Sequence, residues 1–235
     1  MWQSPENVTE SPALHNRSRV FNDRRQAGLA LASLLGRYRG SEAMVLAIPA
    51  GGVPVAVTIA ESLNLRFGML VVSKITLPWN PEAGYGAVAA DGSSEINQPL
   101  VQQLALDAST IEQGIEKTRL KVARREQHYR ELLPAVNLEN STALLVDDGL
   151  ASGFTLRVAI ASARKQRARC IIAAIPTAHS SAVIEVAQLC DHVYCANVRE
   201  GLRFAVADAY EHWRDVTESE VMNDLKLYHQ RRGVQ

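Results

Sequence analysis

The apolar positions of the chain form two kinds of pattern: short unbroken runs and longer stretches with helical spacing. The runs predict buried strands, because a strand of a parallel sheet is covered on both faces. The stretches with apolar residues three or four positions apart predict helices with one buried face. We predict strands at residues 43–49, 68–74, 143–146, 170–176 and 192–197. We predict helices at about 22–38, 53–64, 109–133, 154–163 and 180–189, and a last helix after a capping box of Thr217 and Glu220.

Two segments interrupt this alternation. Residues 1–20 are polar and contain prolines, so we predict a loose N-terminal arm, followed by one domain over residues 21–235. Residues 75–99 have little periodicity, and a connection of that length in a compact domain usually has a function or is mobile. Elsewhere, strands that alternate with helices predict an α/β fold with a parallel sheet and helices on both faces. Ligands of such sheets bind beyond the carboxyl ends of the strands.

Composition and charge narrow the class of protein. Lys and Arg together number 25, as do Asp and Glu, which argues against a nucleic-acid binder that relies on overall positive charge. The basic residues of the 109–133 helix fit a solvated charged face better than a nucleic-acid surface. No apolar run approaches the roughly 20 residues that span a bilayer, and the N-terminus lacks the layout of a secretory signal. We therefore expect a cytoplasmic protein.

The three cysteines form no CxxC pair. Cys170, Cys190 and Cys195 are scattered, which fits reduced thiols in a cytoplasm. Cys190 and Cys195 lie near His192 and could suggest a metal site. A fourth nearby ligand is missing, so small buried residues around a strand are the favoured interpretation.

The stretch "LLVDDGLASGFTL", residues 144–156, combines a strand end, two carboxylates, a loop of small residues and a helix start. Small residues let backbone N–H groups approach an anion, and the helix start adds the positive end of its dipole. Ser152 and Thr155 can add hydroxyl donors. The loop lacks the G-x-x-x-x-G-K-[ST] pattern of a nucleoside-triphosphate P-loop.

The two carboxylates, Asp147 and Asp148, would repel a phosphate and therefore need another purpose. The hydroxyls of a ribose 5-phosphate supply one, because ionised carboxylates only accept hydrogen bonds. A surface Asp-Asp-Gly turn and a metal-binding acidic pair remain alternatives at this point.

This stretch resembles the fingerprint of the type I phosphoribosyltransferases, which binds phosphoribosyl pyrophosphate. The resemblance implies that Asp147 and Asp148 contact the ribose hydroxyls and that the loop holds the 5-phosphate. The implied ribose-phosphate site comprises these two acids with Gly149, Leu150, Ala151, Ser152, Gly153, Phe154 and Thr155. Gly149 departs from the family, in which an aliphatic residue is usual at this position.

A second stretch, "AIPAGGVPVA", resembles the pyrophosphate loop of the same family. The resemblance implies that Ala50, Gly51 and Gly52 meet the leaving pyrophosphate, with the backbone amides of the two glycines as donors. It also implies a cis peptide bond between Ala50 and Gly51. A basic residue frequently stands where this chain has Ala50, and an arginine distant in sequence, such as Arg199 or Arg203, could compensate for its absence.

A third stretch, "SKITLPWNPEAGYGAVAADG" (73–92), resembles a segment of a less characterised branch of the family. The stretches "FNDRRQAG" and "FAVADAYEHWRDVTESEV" resemble the same branch, so that the resemblance covers roughly residues 20–230. It implies that Lys74 is the cation nearest the pyrophosphate and that the mobile segment closes over the reacting ring. Terminal and inserted segments would form a small hood, in which Phe204, Tyr210 and Trp213 are either an acceptor wall or core residues.

The implied reaction is displacement of pyrophosphate at the anomeric carbon by a ring nitrogen or another acceptor. Lys74, Asp147 and Asp148 would be the catalytic residues, and Mg²⁺ would bind mainly through phosphoribosyl pyrophosphate, with no direct ligand assigned in the chain. The acid that serves as base with 6-oxopurines is replaced by Ala151, which makes that acceptor less expected. The alternative is a non-catalytic regulatory protein that binds phosphoribosyl pyrophosphate; a structural module is a distant third. The expected partners are small molecules, neither a membrane nor nucleic acid, and the chain could form a homodimer.

Overall fold

The computed structural model describes residues 2–232 and contains two sheets surrounded by helices. The strands are β1 (Val8–Glu10), β2 (Met44–Ala47), β3 (Arg66–Met69), β4 (Val72–Leu77), β5 (Asn80–Ala89), β6 (Ser94–Ile96), β7 (Thr142–Val146), β8 (Cys170–His179) and β9 (His192–Arg199). The helices are α1 (Arg24–Leu34), α2 (Gly52–Leu63), α3 (Gln98–Gln103), α4 (Ala108–Arg130), α5 (Phe154–Lys165), α6 (Ser180–Ala187) and α7 (Glu218–Arg232). Two short 3-10 turns lie at Gly36–Tyr38 and Val206–Ala209.

The main sheet has six strands in the order β1-β9-β8-β7-β2-β3, and all neighbouring strands are parallel. Alternate residues of each central strand face opposite sides, so that Leu144 packs with α1, α2 and α7 while Leu145 packs with α5 and α6. Both faces of the sheet are therefore buried. The predicted α/β fold with a parallel sheet and helices on both faces is confirmed.

The N-terminal segment is a correction to the predicted loose arm. Val8–Glu10 form the edge strand that pairs with β9, because Val8 and its neighbours can extend the parallel ladder there. The segment after it is held by the buried Asn197 side chain, which donates to the backbone carbonyls of Leu14 and Arg17. Residues 2–20 thus belong to the folded body of the domain.

The predicted strand over residues 68–74 and the predicted loop over 75–99 are also corrected. The strand divides after Met69: β3 stays in the main sheet, and β4 begins a second, antiparallel sheet of order β4-β5-β6. Tyr85 and Ile75 are fully buried between this sheet and α4, which explains why the segment folds although its sequence pattern is weak. The closure of this segment over a ligand stays a prediction.

The capping box noted in the sequence is confirmed. The backbone N–H of Thr217 donates to the Glu220 carboxylate, and the N–H of Glu220 donates to the Thr217 hydroxyl, as a capping box requires. On α4, Arg130 pairs with Glu126 one turn earlier. Over residues 2–232, no helix combines the length and the apolar character needed to cross a membrane.

Candidate functional site

Three connections meet at the carboxyl edge of the main sheet and enclose a cleft of about 480 Å³. They are the turn between β2 and α2, the loop between β7 and α5, and the start of β4. Strands β2 and β7 are direct neighbours in the sheet, so their carboxyl ends open side by side. The structure therefore brings together the three segments that the sequence singled out separately.

The acid pair lies at the centre of this cleft. Asp147 is half-buried, and its Oδ1 accepts a hydrogen bond from the backbone N–H of Asp148 at 2.8 Å. Asp148 pairs through Oδ2 with Nε of Arg24 at 2.8 Å. Among the described residues, none outside the pair donates to the other oxygen of either carboxylate. Each acid thus has one carboxylate oxygen that no described residue outside the pair donates to.

Burial raises the pKa of Asp147 well above its usual value, and the negative charge of Asp148 raises it further, while Lys74 opposes the shift. Tyr210 contacts the backbone of the acid pair, because its hydroxyl donates to the backbone carbonyl of Asp148 at 2.6 Å. Burial and the nearby Asp148 charge raise the pKa of that phenol as well. A cation or hydrogen-bond donor bound at the acid pair would therefore stabilise the ionised form of Asp147.

The loop after the acid pair forms the floor of the cleft. Ala151 and Ser152 are exposed, and Gly153 begins α5 with a left-handed backbone (φ 78°) and no side-chain cap. Small residues and an uncapped helix start suit a phosphate group. Leu150 fixes the loop from inside, because its N–H donates to the Thr177 carbonyl and its carbonyl accepts from the N–H of His179.

Two residues of the predicted ribose-phosphate and pyrophosphate sites do not line the cleft. Phe154, the first residue of α5, packs on the core, and the guanidinium of Arg157 lies 5.3 Å from its ring centre. Gly52 is buried against the β7 backbone, and a Cβ there would stand 2.5 Å from the Val146 carbonyl oxygen. The N–H of Gly52 donates to the Ile48 carbonyl, so it is already used inside the turn. Contact of these two residues with a ligand stays a prediction.

The other two pyrophosphate-loop residues, Ala50 and Gly51, do line the cleft. Gly51 touches the acid pair: a Cβ at this position would stand 2.0 Å from Oδ2 of Asp148. The position therefore admits no side chain while Asp148 keeps this orientation. The cis peptide bond lies between Pro49 and Ala50, one bond earlier than the resemblance implied.

The cations of the cleft are Lys74, Lys121 and Arg24. Lys74 was predicted from the sequence. Lys121 and Arg24 were missed, because they lie on helices α4 and α1, which are distant in sequence from the loops of the cleft. Burial and the neighbouring Arg125 lower the pKa of Lys121.

The arginines considered as replacements for a basic residue at position 50 lie elsewhere. Arg199 pairs with Asp208 and stands over the Phe204 ring, and Arg203 is not among the residues that line the cleft. Arg24 instead brings a guanidinium to the carboxylate that touches Gly51. The stretch "FNDRRQAG" was the only sequence signal for Arg24, and it did not show which of its two arginines faces the cleft.

The segment after β9 covers one side of the cleft with Val206, Trp213, Asp215 and Val216. Trp213 is about one third exposed (37%), whereas Tyr210 is buried. Of the three aromatic residues considered for a hood, Trp213 is the one that reaches the cleft. Tyr210 supports it, with ring centres 5.1 Å apart.

No group of three or more His, Cys, Asp or Glu side chains within residues 2–232 is arranged to hold a metal ion. Cys190 and Cys195 are buried. Burial raises the pKa of the Cys190 thiol to about 12, and its Sγ lies within hydrogen-bond distance of the Val186 carbonyl. Both are small core residues, as the favoured interpretation predicted.

Comparison with known proteins agrees with this geometry. The family described as "Phosphoribosyl transferase domain" matches residues 25–208. The chain therefore belongs to this family, and the resemblance noted in the sequence is confirmed.

Two curated relatives from Mycobacterium tuberculosis, of strains CDC 1551 / Oshkosh and ATCC 25618 / H37Rv, are provisionally named phosphoribosyl transferases. Each is 33% identical over 211 residues, which cover 90% of this chain and 47% of the relative. The chain thus spans about half the length of the curated relatives it matches. The crystal structure of TT1426 from Thermus thermophilus is similar, with a TM-score of 0.70, 29% identity, and coverage of 88% of this chain and 98% of that chain.

Proposed function

We propose that the protein binds phosphoribosyl pyrophosphate in the cleft and transfers its phosphoribosyl group to a nitrogenous base or another acceptor, with release of pyrophosphate. The observation that carries the proposal is the convergence of Asp147, Asp148, the loop up to Thr155 and Lys74 in one cleft. The family match supports the general class, and the substrate follows from the chemistry of these groups.

Each part of the cleft has a role in this proposal. The free oxygens of Asp147 and Asp148 accept hydrogen bonds from the adjacent ribose hydroxyls. The N–H groups at the start of α5, with Ser152 and Thr155, hold the 5-phosphate. Lys74 and the turn at Ala50 and Gly51 face the pyrophosphate and stabilise its growing negative charge.

Bond changes at the anomeric carbon need no covalent protein nucleophile. The acceptor lone pair forms the new bond while the bond to the pyrophosphate oxygen breaks, and the protein supplies position and charge. Two carboxylates beside the ribose site, each with one oxygen that lacks a protein donor outside the pair, fit a magnesium ion held mainly by substrate oxygens and water. When bound, such an ion would supply positive charge against the pyrophosphate.

A regulatory protein that binds phosphoribosyl pyrophosphate without turnover is the second candidate. The observation that favours it is Ala50, which brings no cation to the pyrophosphate loop. Both candidates predict the same ligand, and they differ in whether pyrophosphate is released.

Calorimetry with phosphoribosyl pyrophosphate and magnesium tests the ligand. Asp147→Asn with Asp148→Asn should weaken binding at least a hundredfold, because charge-assisted hydrogen bonds contribute about 1.5–3 kcal/mol each. A matched control removes two exposed carboxylates of α4, through Glu112→Gln with Glu116→Gln. Equal affinity of the two double variants would contradict the ribose assignment. Pyrophosphate release from the wild type with a panel of bases would then separate the enzyme from the regulatory protein.

A further inference from the structure

Arg24, the first residue of α1, is one of the few charged side chains that the fold buries; it is 8% exposed. Its Nε donates to Oδ2 of Asp148 at 2.8 Å, and its Nη1 donates to the backbone carbonyl of Arg214 at 2.8 Å. The guanidinium lies over the Trp213 ring, with Cζ 4.0 Å from the ring centre. A single side chain therefore contacts the acid pair and the aromatic wall of the cleft.

These three contacts involve Nε, Nη1 and the ring-facing side of one guanidinium group. Its donors point in fixed directions within one plane, and its face can stack on an aromatic ring. A lysine could pair with Asp148, but its compact ammonium group cannot also bond the Arg214 carbonyl and cover the indole. The arrangement thus depends on an arginine and not on positive charge alone.

Arg24 and Trp213 also border a second cavity. Arg24 and Trp213 line the cleft on one side, and on the other side they line a cavity of about 620 Å³ formed with residues of α1 and α7. Arg24 is the more buried of the two residues and contacts the indole ring of Trp213.

We propose that Arg24 is a positioning residue that fixes Asp148 and Trp213 in one arrangement before any ligand binds. The inference rests on the proposed function in so far as Asp148 is the ribose-binding acid and Trp213 borders the acceptor. Binding of Mg²⁺-phosphoribosyl pyrophosphate then needs little reorganisation of the acid pair, and the acceptor meets a preformed aromatic wall.

The neighbouring Arg25 provides a matched control. It is exposed, lies on the same turn of α1, borders the second cavity, and is not among the residues that line the cleft. Arg24→Met and Arg25→Met remove the same charge from adjacent positions. Arg24→Lys keeps the charge and removes the planar group.

The first test uses the free protein in a background with Trp2→Phe and Trp79→Phe, so that Trp213 is the only fluorophore of its kind. Acrylamide should quench Trp213 more strongly in Arg24→Met and in Arg24→Lys than in the parent, with no change in Arg25→Met. Thermal unfolding of Arg24→Met, Asp148→Asn and the double variant should show that the two losses are not additive. Additive losses together with unchanged quenching would overturn the inference.

The second test is calorimetry with phosphoribosyl pyrophosphate and magnesium. We expect about a tenfold or larger loss of affinity in Arg24→Met, a smaller loss in Arg24→Lys, and wild-type affinity in Arg25→Met. Equal affinity of Arg24→Met and Arg25→Met would overturn the positioning role and leave the proposed function standing. A wild type that binds no phosphoribosyl pyrophosphate would overturn the proposed function, and the free-protein tests would still decide the role of Arg24.

Discussion

The side chain of Val206 occupies the space that a side chain at Gly149 would need. A Cβ on Gly149 would stand 2.2 Å from Cγ1 of Val206 and 2.6 Å from Cγ2. Both residues line the cleft. The segment after β9 thus supplies apolar surface at the position where the family usually has an aliphatic residue in the loop itself.

Gly149→Val should therefore destabilise the protein by about 1–3 kcal/mol, the usual cost of overpacking. The backbone of Gly149 is not among those with positive φ, so the penalty comes from Val206 and not from the backbone. Val206→Ala alone should cost less, and the double variant Gly149→Val with Val206→Ala should recover most of the loss. Chemical unfolding measures the stability of all three variants. A double variant as unstable as Gly149→Val would refute the claim that Val206 fills the space a side chain at position 149 needs.

The two acids of the pair should respond in opposite directions when each is neutralised. Asp147→Asn should raise the melting temperature at pH 7.5. The raised pKa of Asp147 means that the folded protein loses stability as pH rises from the unfolded value near 4 through the folded value. Asparagine avoids that loss, so the gain should be largest at high pH and should vanish near pH 4.

Asp148→Asn is the counterpart in this comparison. It leaves the buried guanidinium of Arg24 without its carboxylate, so it should lower the melting temperature. Both variants should bind phosphoribosyl pyrophosphate weakly. Melting curves across pH 4–8 that shift in the same direction for both acids would contradict the different environments described for them.

The pyrophosphate loop can be tested by adding the missing cation. Ala50→Arg should tighten inhibition by pyrophosphate, because a guanidinium binds phosphate oxygens in a bidentate manner. Lys74→Ala should weaken it, since the leaving group would lose its nearest predicted side-chain cation. Exposed Lys226→Ala on α7 serves as the control for loss of one lysine. If pyrophosphate inhibits Ala50→Arg more weakly than the wild type and inhibits Lys74→Ala equally well, then pyrophosphate binds near neither segment.

The N-terminal segment should matter for the cleft although it is far from it in sequence. Asn197 is fully buried, accepts from the Thr177 hydroxyl at 2.7 Å and donates to the carbonyls of Leu14 and Arg17. Asn197→Val would remove these three hydrogen bonds and leave the buried Thr177 hydroxyl without its acceptor, so it should cost about 3 kcal/mol. Hydrogen exchange should then accelerate at residues 14–20.

The effect should extend to the cleft, because the N–H groups of Arg19 and Val20 donate to the carbonyls of Asp208 and Ala209. These bonds hold the turn that carries Val206. Asn223→Ala, at an exposed position of α7, provides the comparison. If exchange at residues 204–210 stays as slow in Asn197→Val as in this control, the N-terminal segment does not support the hood.

Local motifs allowed the strand ends and their loops to be predicted, whereas contacts between distant segments were missed. Asp147 and Asp148 follow an apolar run, so their place at the carboxyl edge of the main sheet follows from the pattern. Lys74 was also predicted to face the cleft, although it lies inside β4 of the second sheet and not at a strand end of the main one. Arg24 enters the cleft only because α1 packs beside the turn that carries Trp213, and no periodicity indicates this. The β4–β6 sheet was missed for a related reason, since its core depends on Tyr85 and on a helix that follows later in the chain.

The contact between Gly51 and Asp148 sets a limit on how the sequence can vary. The two residues lie almost a hundred positions apart in the sequence, yet they are so close in the fold that no space remains for a Cβ at Gly51. Even alanine at position 51 would displace the carboxylate, and a shorter residue at position 148 would remove the acid. A saturation library selected for ligand binding should therefore be nearly empty of substitutions at position 51, and compensating second-site changes should be rarest at this pair.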